Sequence, residues 1–99
     1  MAAYFIAQYQ VKDPGLYQEY SAGAGPTLAA HGAELVAFDV AAETIEGTSP
    51  GAQTVIIKSE STEKAKAWYN SEDYQAVVGK RLAATEGYAV ISQSMNVGG

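Results

Sequence analysis

Apolar and polar positions alternate at the start of the chain. Phe5, Ala7, Tyr9 and Val11 fall on one side, and Tyr4, Ile6, Gln8 and Gln10 on the other. Period two with aromatic and β-branched side chains predicts a strand over Tyr4–Val11. Asp13-Pro14 then opens a helix: an aspartate accepts from free N–H groups, and proline suits the first helical position. Leu16, Tyr17 and Tyr20 give that helix an apolar face. Gly23, Gly25 and Pro26 weaken its middle, and Pro26 is expected to kink or divide it. Thr27 to His31 forms a last turn, with Gly32 as the stop. Glu34 to Val40 reads as a second strand, with a bent continuation through Glu43–Glu46. Gly47–Gly51 is a turn by composition, and Gln53–Ser59 is a third strand centred on Val55, Ile56 and Ile57.

From Thr62 to Gly87 the period changes to that of a helix. Ala65, Trp68 and Tyr69 form one stripe, the pattern halts at Asn70-Ser71, and Tyr74, Val77, Val78, Arg81 and Leu82 form a second. Ser61 or Thr62 caps the first half. Ser71 caps the second, with Glu72 and Asp73 complementing the helix dipole. Gly87 is expected to end the helix. Tyr88–Met95 is the fourth strand, and Val97–Gly99 a frayed tail beyond a single domain of residues 1–96. The order β-α-β-β-α-β fits the α+β, ferredoxin-like arrangement: a four-stranded antiparallel sheet with the helices on one face.

Neither side of the strands is purely polar. A sheet covered on one side only should alternate cleanly between apolar and polar. The helix-free face therefore calls for a partially apolar cover, and the same face of a second copy supplies one.

Composition narrows the partners. The 99 residues carry six Lys and Arg against eleven Asp and Glu, a net charge of −5, and the basic residues are scattered. Nothing resembles a phosphate-binding stripe, so neither nucleic acid nor an anionic membrane is an expected partner. The N-terminus lacks a basic region and a long apolar run, so it reads as a strand and not as a signal or membrane segment. Cysteine is absent, which excludes disulfides and thiolate metal sites and is compatible with a cytoplasmic protein. One histidine without paired carboxylate spacing makes no metal site, and no cofactor motif is present.

Five residues stand out as candidate chemistry. His31 is either a general base or shuttle, or a helix C-terminal residue favoured there by the dipole. Arg81 lies inside an apolar stripe. It either clamps an anion with its planar fork or pairs with Glu72, Asp73, Glu86 or a carboxylate of the other subunit. Trp68 and Tyr69 are core or pocket wall, and Tyr74 must find a partner for its hydroxyl if buried. Seven tyrosines against two phenylalanines fit either a polar-lined cavity or half-exposed strand positions. Gly79 inside the second stripe suggests close approach of another backbone or of the partner subunit.

Asp13-Pro14 with Tyr17 and Tyr20, His31-Gly32, Glu46-Gly47, the run A-W-Y-N-S-E-D-Y-Q (Ala67 to Gln75) and Arg81 together resemble the uncharacterised bacterial domain family numbered 1330, of the dimeric α+β barrel group. The resemblance spans nearly the whole chain. It implies a ferredoxin-like subunit and a homodimer built sheet to sheet. The wider group includes cofactor-independent monooxygenases, muconolactone-isomerase-like and chlorite-dismutase-like enzymes, and regulatory ligand-binding domains, and fold does not choose among them. His31-Gly32-Ala33-Glu34 departs from the family, which usually has a second glycine and a basic residue there.

The expectation is a homodimer that binds a small, partly apolar organic molecule between helix and sheet, with His31, Trp68, Tyr69, Tyr74 and Arg81 around it. One alternative is a cofactor-independent oxygenase or isomerase acting on an enolisable or phenolic substrate, with His31 and Arg81 catalytic. The other is a purely structural dimer.

Overall fold

A computed structural model of the chain describes residues 1–95; the expected tail at 97–99 lies outside them. The elements are β1 (Ala3–Val11), α1 (Pro14–Ala30), β2 (Glu34–Asp39), β3 (Gln53–Ser59), α2 (Thr62–Tyr69), α3 (Glu72–Ala84) and β4 (Thr85–Gln93). The strands form one antiparallel sheet in the order β2-β3-β1-β4. This is the ferredoxin-like arrangement, with the second helix split in two.

The caps are those the sequence called for. Asp13 Oδ1 accepts from the Leu16 N–H (3.1 Å), Ser61 Oγ from Lys64 (3.1 Å) and Ser71 Oγ from Tyr74 (3.3 Å). Each satisfies a donor that the first turn of a helix leaves open. Gly32 has a φ of 66°, the left-handed conformation that glycine takes past a helix end at least cost.

Four local expectations are corrected. Pro26 does not divide α1, which runs unbroken through it. Pro26 is solvent-exposed, and next to it Thr27 donates to the Ala24 carbonyl (2.6 Å). The strand β2 stops at Asp39, and residues 43–46 are not a strand. Gly87 does not end α3. The helix stops at Ala84, whose carbonyl accepts from the backbone of Lys12 (2.7 Å) and Asp13 (3.2 Å), so tertiary partners replace the glycine cap. Gly87 instead sits inside β4 opposite Tyr9, where a Cβ would collide with the Gln8 carbonyl oxygen and the Tyr9 backbone. Finally, a Cβ at Gly79 would meet open space, whereas one at Gly23 would strike Val77 of α3. The close helix approach therefore runs through Gly23.

The core lies between helices and sheet: Phe5, Ala7 and Tyr9 of β1, Val55 and Ile57 of β3, and Tyr17, Tyr20, Trp68, Tyr74 and Val78 from the helices. On the helix-free face the register sets Ala37, Ile56, Ile6 and Val90 in one row across all four strands. Lys58, Tyr4 and Ser92 flank that row on one side, and Thr54, Gln8 and Tyr88 on the other. Val90 and Tyr88 are about half exposed in the single chain.

Candidate functional site

Arg81 reaches the interior because α3 repeats its buried positions at helical spacing: Tyr74, Val78 and Arg81 all point inward. Only 5% of Arg81 is exposed. Its guanidinium carbon lies 5.6 Å from the centre of the Tyr9 ring and 6.0 Å from that of Phe5, within reach of a cation–π attraction. Among the described residues no carboxylate lies within ion-pairing distance of it. Glu86 is taken by Lys12 (2.5 Å), and Asp73 by His31 (3.0 Å). The buried Nε of Arg81 has no hydrogen-bond partner. Removing a cation from water without a carboxylate is costly, and the site meets part of that cost with phenol oxygens.

Those oxygens come from two tyrosine pairs. The hydroxyls of Tyr9 and Tyr17 share a hydrogen bond of 2.7 Å, and those of Tyr20 and Tyr74 one of 2.8 Å. Burial raises the pKa of Tyr9, Tyr20 and Tyr74 above the ordinary phenol range, and the nearby Arg81 cation partly opposes the rise in each. Burial alone works against the Arg81 charge, but the phenol oxygens of Tyr74, Tyr20 and Tyr9 hold its pKa above its usual value. The hydroxyls of Tyr9, Tyr20 and Tyr74 therefore stay protonated at neutral pH.

This cluster separates two openings in the helix–sheet layer. On the α1 side is a slot of about 330 Å³ with aromatic walls of Phe5, Trp68 and Phe38 and with Tyr9, Tyr17 and Tyr20 at its polar end. On the β4 side is a cleft of about 390 Å³ lined by Arg81, Tyr69, Leu82, Thr85, Glu86 and Ala89. A contiguous apolar patch of Phe5, Tyr69, Ala89 and Ile91 extends the cleft along β4. The edge strand β4 is thinly covered, which keeps the cleft open: Ala89 is exposed on the helix side.

The sequence-predicted residues divide among these features. Arg81 and Tyr69 line the β4-side cleft. Trp68 lines the slot, is 1% exposed and donates from Nε1 to Thr27 Oγ1 (3.0 Å). Tyr74 is fully buried in the wall between them. His31 is not brought to either. It sits at the end of α1, partly exposed, paired with Asp73 and beside a shallow hollow with Glu60, Lys64 and Ala67. Pairing with Ser71 and His31 lowers the Asp73 pKa. Sequence reasoning missed Tyr9, Tyr17 and Tyr20 as site residues. The signal was the excess of tyrosine over phenylalanine, because a buried tyrosine needs a polar partner that phenylalanine does not. No set of three metal-ligating side chains clusters among the described residues, and no helix among them is long and apolar enough to cross a membrane.

Residues 2–95 match the domain of unknown function DUF1330. The chain belongs to that family. No curated protein matches the sequence. Among solved structures, this DUF1330 chain is similar to a protein of unknown function, RPA0582 from Rhodopseudomonas palustris, with a TM-score of 0.78 and 14% identity, over 97% of this chain and 84% of that one. It is also similar to SnoaB, a cofactor-independent oxygenase from Streptomyces nogalater, with a TM-score of 0.68 and 9% identity, over 97% of this chain and 95% of that one. A third similar structure is HapK from Hahella chejuensis, with a TM-score of 0.61 and 14% identity, over 97% and 95% of the two chains. At these identities the likeness establishes the shared ferredoxin-like fold and not an activity.

Proposed function

We propose that this DUF1330 protein is a homodimer that binds a small, partly apolar organic anion in the β4-side cleft. Arg81 holds the charged end, Tyr69 borders it, and Tyr74 backs Arg81 from the core. Phe5, Ala89 and Ile91 take the apolar body. One observation carries this reading: a buried arginine lines the cleft with its Nε unpartnered, and the one carboxylate of the cleft lining, Glu86, is drawn to Lys12 instead. An anion of the right shape completes that arrangement with charge-assisted, bidentate hydrogen bonds. Calorimetric titration with benzoate tests it. Wild type is expected to bind, and Arg81→Met to bind at least tenfold more weakly while remaining folded. Equal affinities would refute the site.

The dimer rests on the apolar row of Ala37, Ile56, Ile6 and Val90 across a face no helix covers. Sedimentation at micromolar concentration should give a single species of twice the 10.4 kDa chain mass, and Ile6→Asp should give the monomer. A wild-type monomer would refute it. The cysteine-free chain suits a cytoplasmic protein, and fractionation of cells checks that location.

A second reading is favoured by the same buried cation. An arginine among phenols, shielded from water, suits an enolate or phenolate oxyanion, as a cofactor-independent oxygenase or isomerase would need. It loses His31 as the proton carrier, because His31 and Arg81 line separate hollows. Native mass spectrometry of the purified protein tests for a co-purified molecule. If none is found and benzoate does not bind, a structural dimer is the function that stands.

A further inference from the structure

The slot on the α1 side is a separate cavity from the Arg81 cleft, and its chemistry is different. None of the residues lining it carries a charge. Its walls are aromatic and aliphatic, and its volume of about 330 Å³ falls at the lower end of small-ligand sites. A charged molecule would lose its hydration there and gain no counter-ion. The occupant is therefore neutral and mostly apolar.

The tyrosine pairs say more. Two hydroxyls carry two protons, and a hydrogen bond between them uses one. Each pair is left with one O–H that needs an acceptor. For Tyr20 and Tyr74 the direction follows from burial. Tyr74 is fully buried, and among the described residues its hydroxyl is hydrogen-bonded to that of Tyr20 (2.8 Å). A Tyr74 proton pointed elsewhere would be left unmet in the core, so it goes to Tyr20. Tyr20 then accepts from Tyr74 and keeps its own proton free. Tyr20 lines the slot and Tyr74 does not, so that proton is available on the slot side. The bond from Tyr74 polarises the Tyr20 O–H, because successive hydrogen bonds in a low-dielectric interior strengthen one another. Tyr9 and Tyr17 both line the slot, and their pair supplies a second unused donor.

We infer that the slot binds a neutral, flat, largely apolar molecule through a carbonyl oxygen, received by the spare O–H of Tyr20 and of the Tyr9–Tyr17 pair. A carbonyl accepts two hydrogen bonds and donates none, which matches a site with donors to spare. This site goes beyond the anion cleft and does not require it to be occupied.

Calorimetric titration with 1-tetralone and with tetralin, the same ring system without the carbonyl, tests the inference. 1-Tetralone is expected to bind at least about tenfold more tightly than tetralin, since an unmet buried donor penalises the hydrocarbon. Tyr20→Phe should remove most of that preference and leave tetralin unaffected. Gly25 supplies a second variant. It borders the slot, and a side chain there meets open space. Gly25→Leu therefore fills the cavity while improving helix propensity. It should abolish 1-tetralone binding and leave benzoate binding in the Arg81 cleft intact. Equal affinity for the two ring systems, no binding of either, retention of the preference in Tyr20→Phe, or binding by Gly25→Leu would each overturn the inference. Failure of benzoate alone would overturn only the cleft.

Discussion

The two openings of the helix–sheet layer share one polar wall and present opposite characters. The α1-side slot meets that wall through tyrosine hydroxyls and sees no charge. The β4-side cleft meets it through the guanidinium of Arg81. The difference arises from where each side chain is anchored. Tyr17 and Tyr20 stand on α1, and their rings come from the slot side. Arg81 stands on α3, one turn beyond Val78, and comes from the β4 side. A cation and the phenols around it, buried as one unit, thereby border two cavities of different character.

The largest expected effect strikes the packing common to both. Trp68 touches Phe5, Tyr69 and Tyr74, so Trp68→Ala should cost about 3–5 kcal/mol in chemical denaturation. A loss under about 1 kcal/mol would mean that the wall is not held by this core. Arg81→Met comes next, and it separates the two sides. Anion affinity in the cleft should fall at least tenfold. The 1-tetralone affinity in the slot should fall only a few-fold, because the tyrosines remain. Stability should hold or rise by about 1 kcal/mol, since an apolar side chain replaces a cation that has no carboxylate partner. Equal losses in both cavities would show that they are one site.

Alkaline titration sharpens the comparison between buried and exposed tyrosines. The folded-state pKa of Tyr9 and Tyr20 is raised, so the stability they contribute is present below the unfolded phenol value near 10 and is lost as the pH climbs above it. Phenolate absorbance from the buried Tyr9 and Tyr20 should therefore appear together with unfolding. Full ionisation of all seven in a folded protein would contradict the buried pairs. The smallest effect belongs to the ion pair remote from both cavities. Asp73 has a lowered pKa, so its contribution is present above the ordinary carboxylate range and lost as the pH falls below it. The pair is largely exposed, so His31→Asn should change stability little and leave benzoate and 1-tetralone affinities unaltered. A marked loss of either affinity would return His31 to the site.

Much of the architecture was legible because it rests on local chemistry. Asp13, Ser61 and Ser71 cap helices by the same hydrogen bonds wherever they occur, and the alternation in β1 divides core from open face without reference to anything distant. The misreadings fall where a remote partner took over. Gly87 looked like a helix stop, but Lys12 and Asp13 already satisfied the Ala84 carbonyl, and the glycine was needed to let β4 pass close to β1. Of the candidate site, Arg81, Tyr69, Tyr74 and Trp68 were visible as polar or bulky members of apolar stripes. Tyr9, Tyr17 and Tyr20 were not, because their hydroxyls acquire meaning only from partners 8 and 54 positions away for two of the bonds they make.

Sequence alone determined the element order, the caps, the mixed character of both strand faces and the presence of one arginine in an apolar stripe, since each follows from spacing along a single strand or helix. Only the tertiary structure decided that Arg81 would pair with no carboxylate among the described residues, that His31 would lie apart from it, and that phenols from β1, α1 and α3 would meet around the cation. Those outcomes depend on distances between elements far apart in the chain, and no local periodicity encodes such distances.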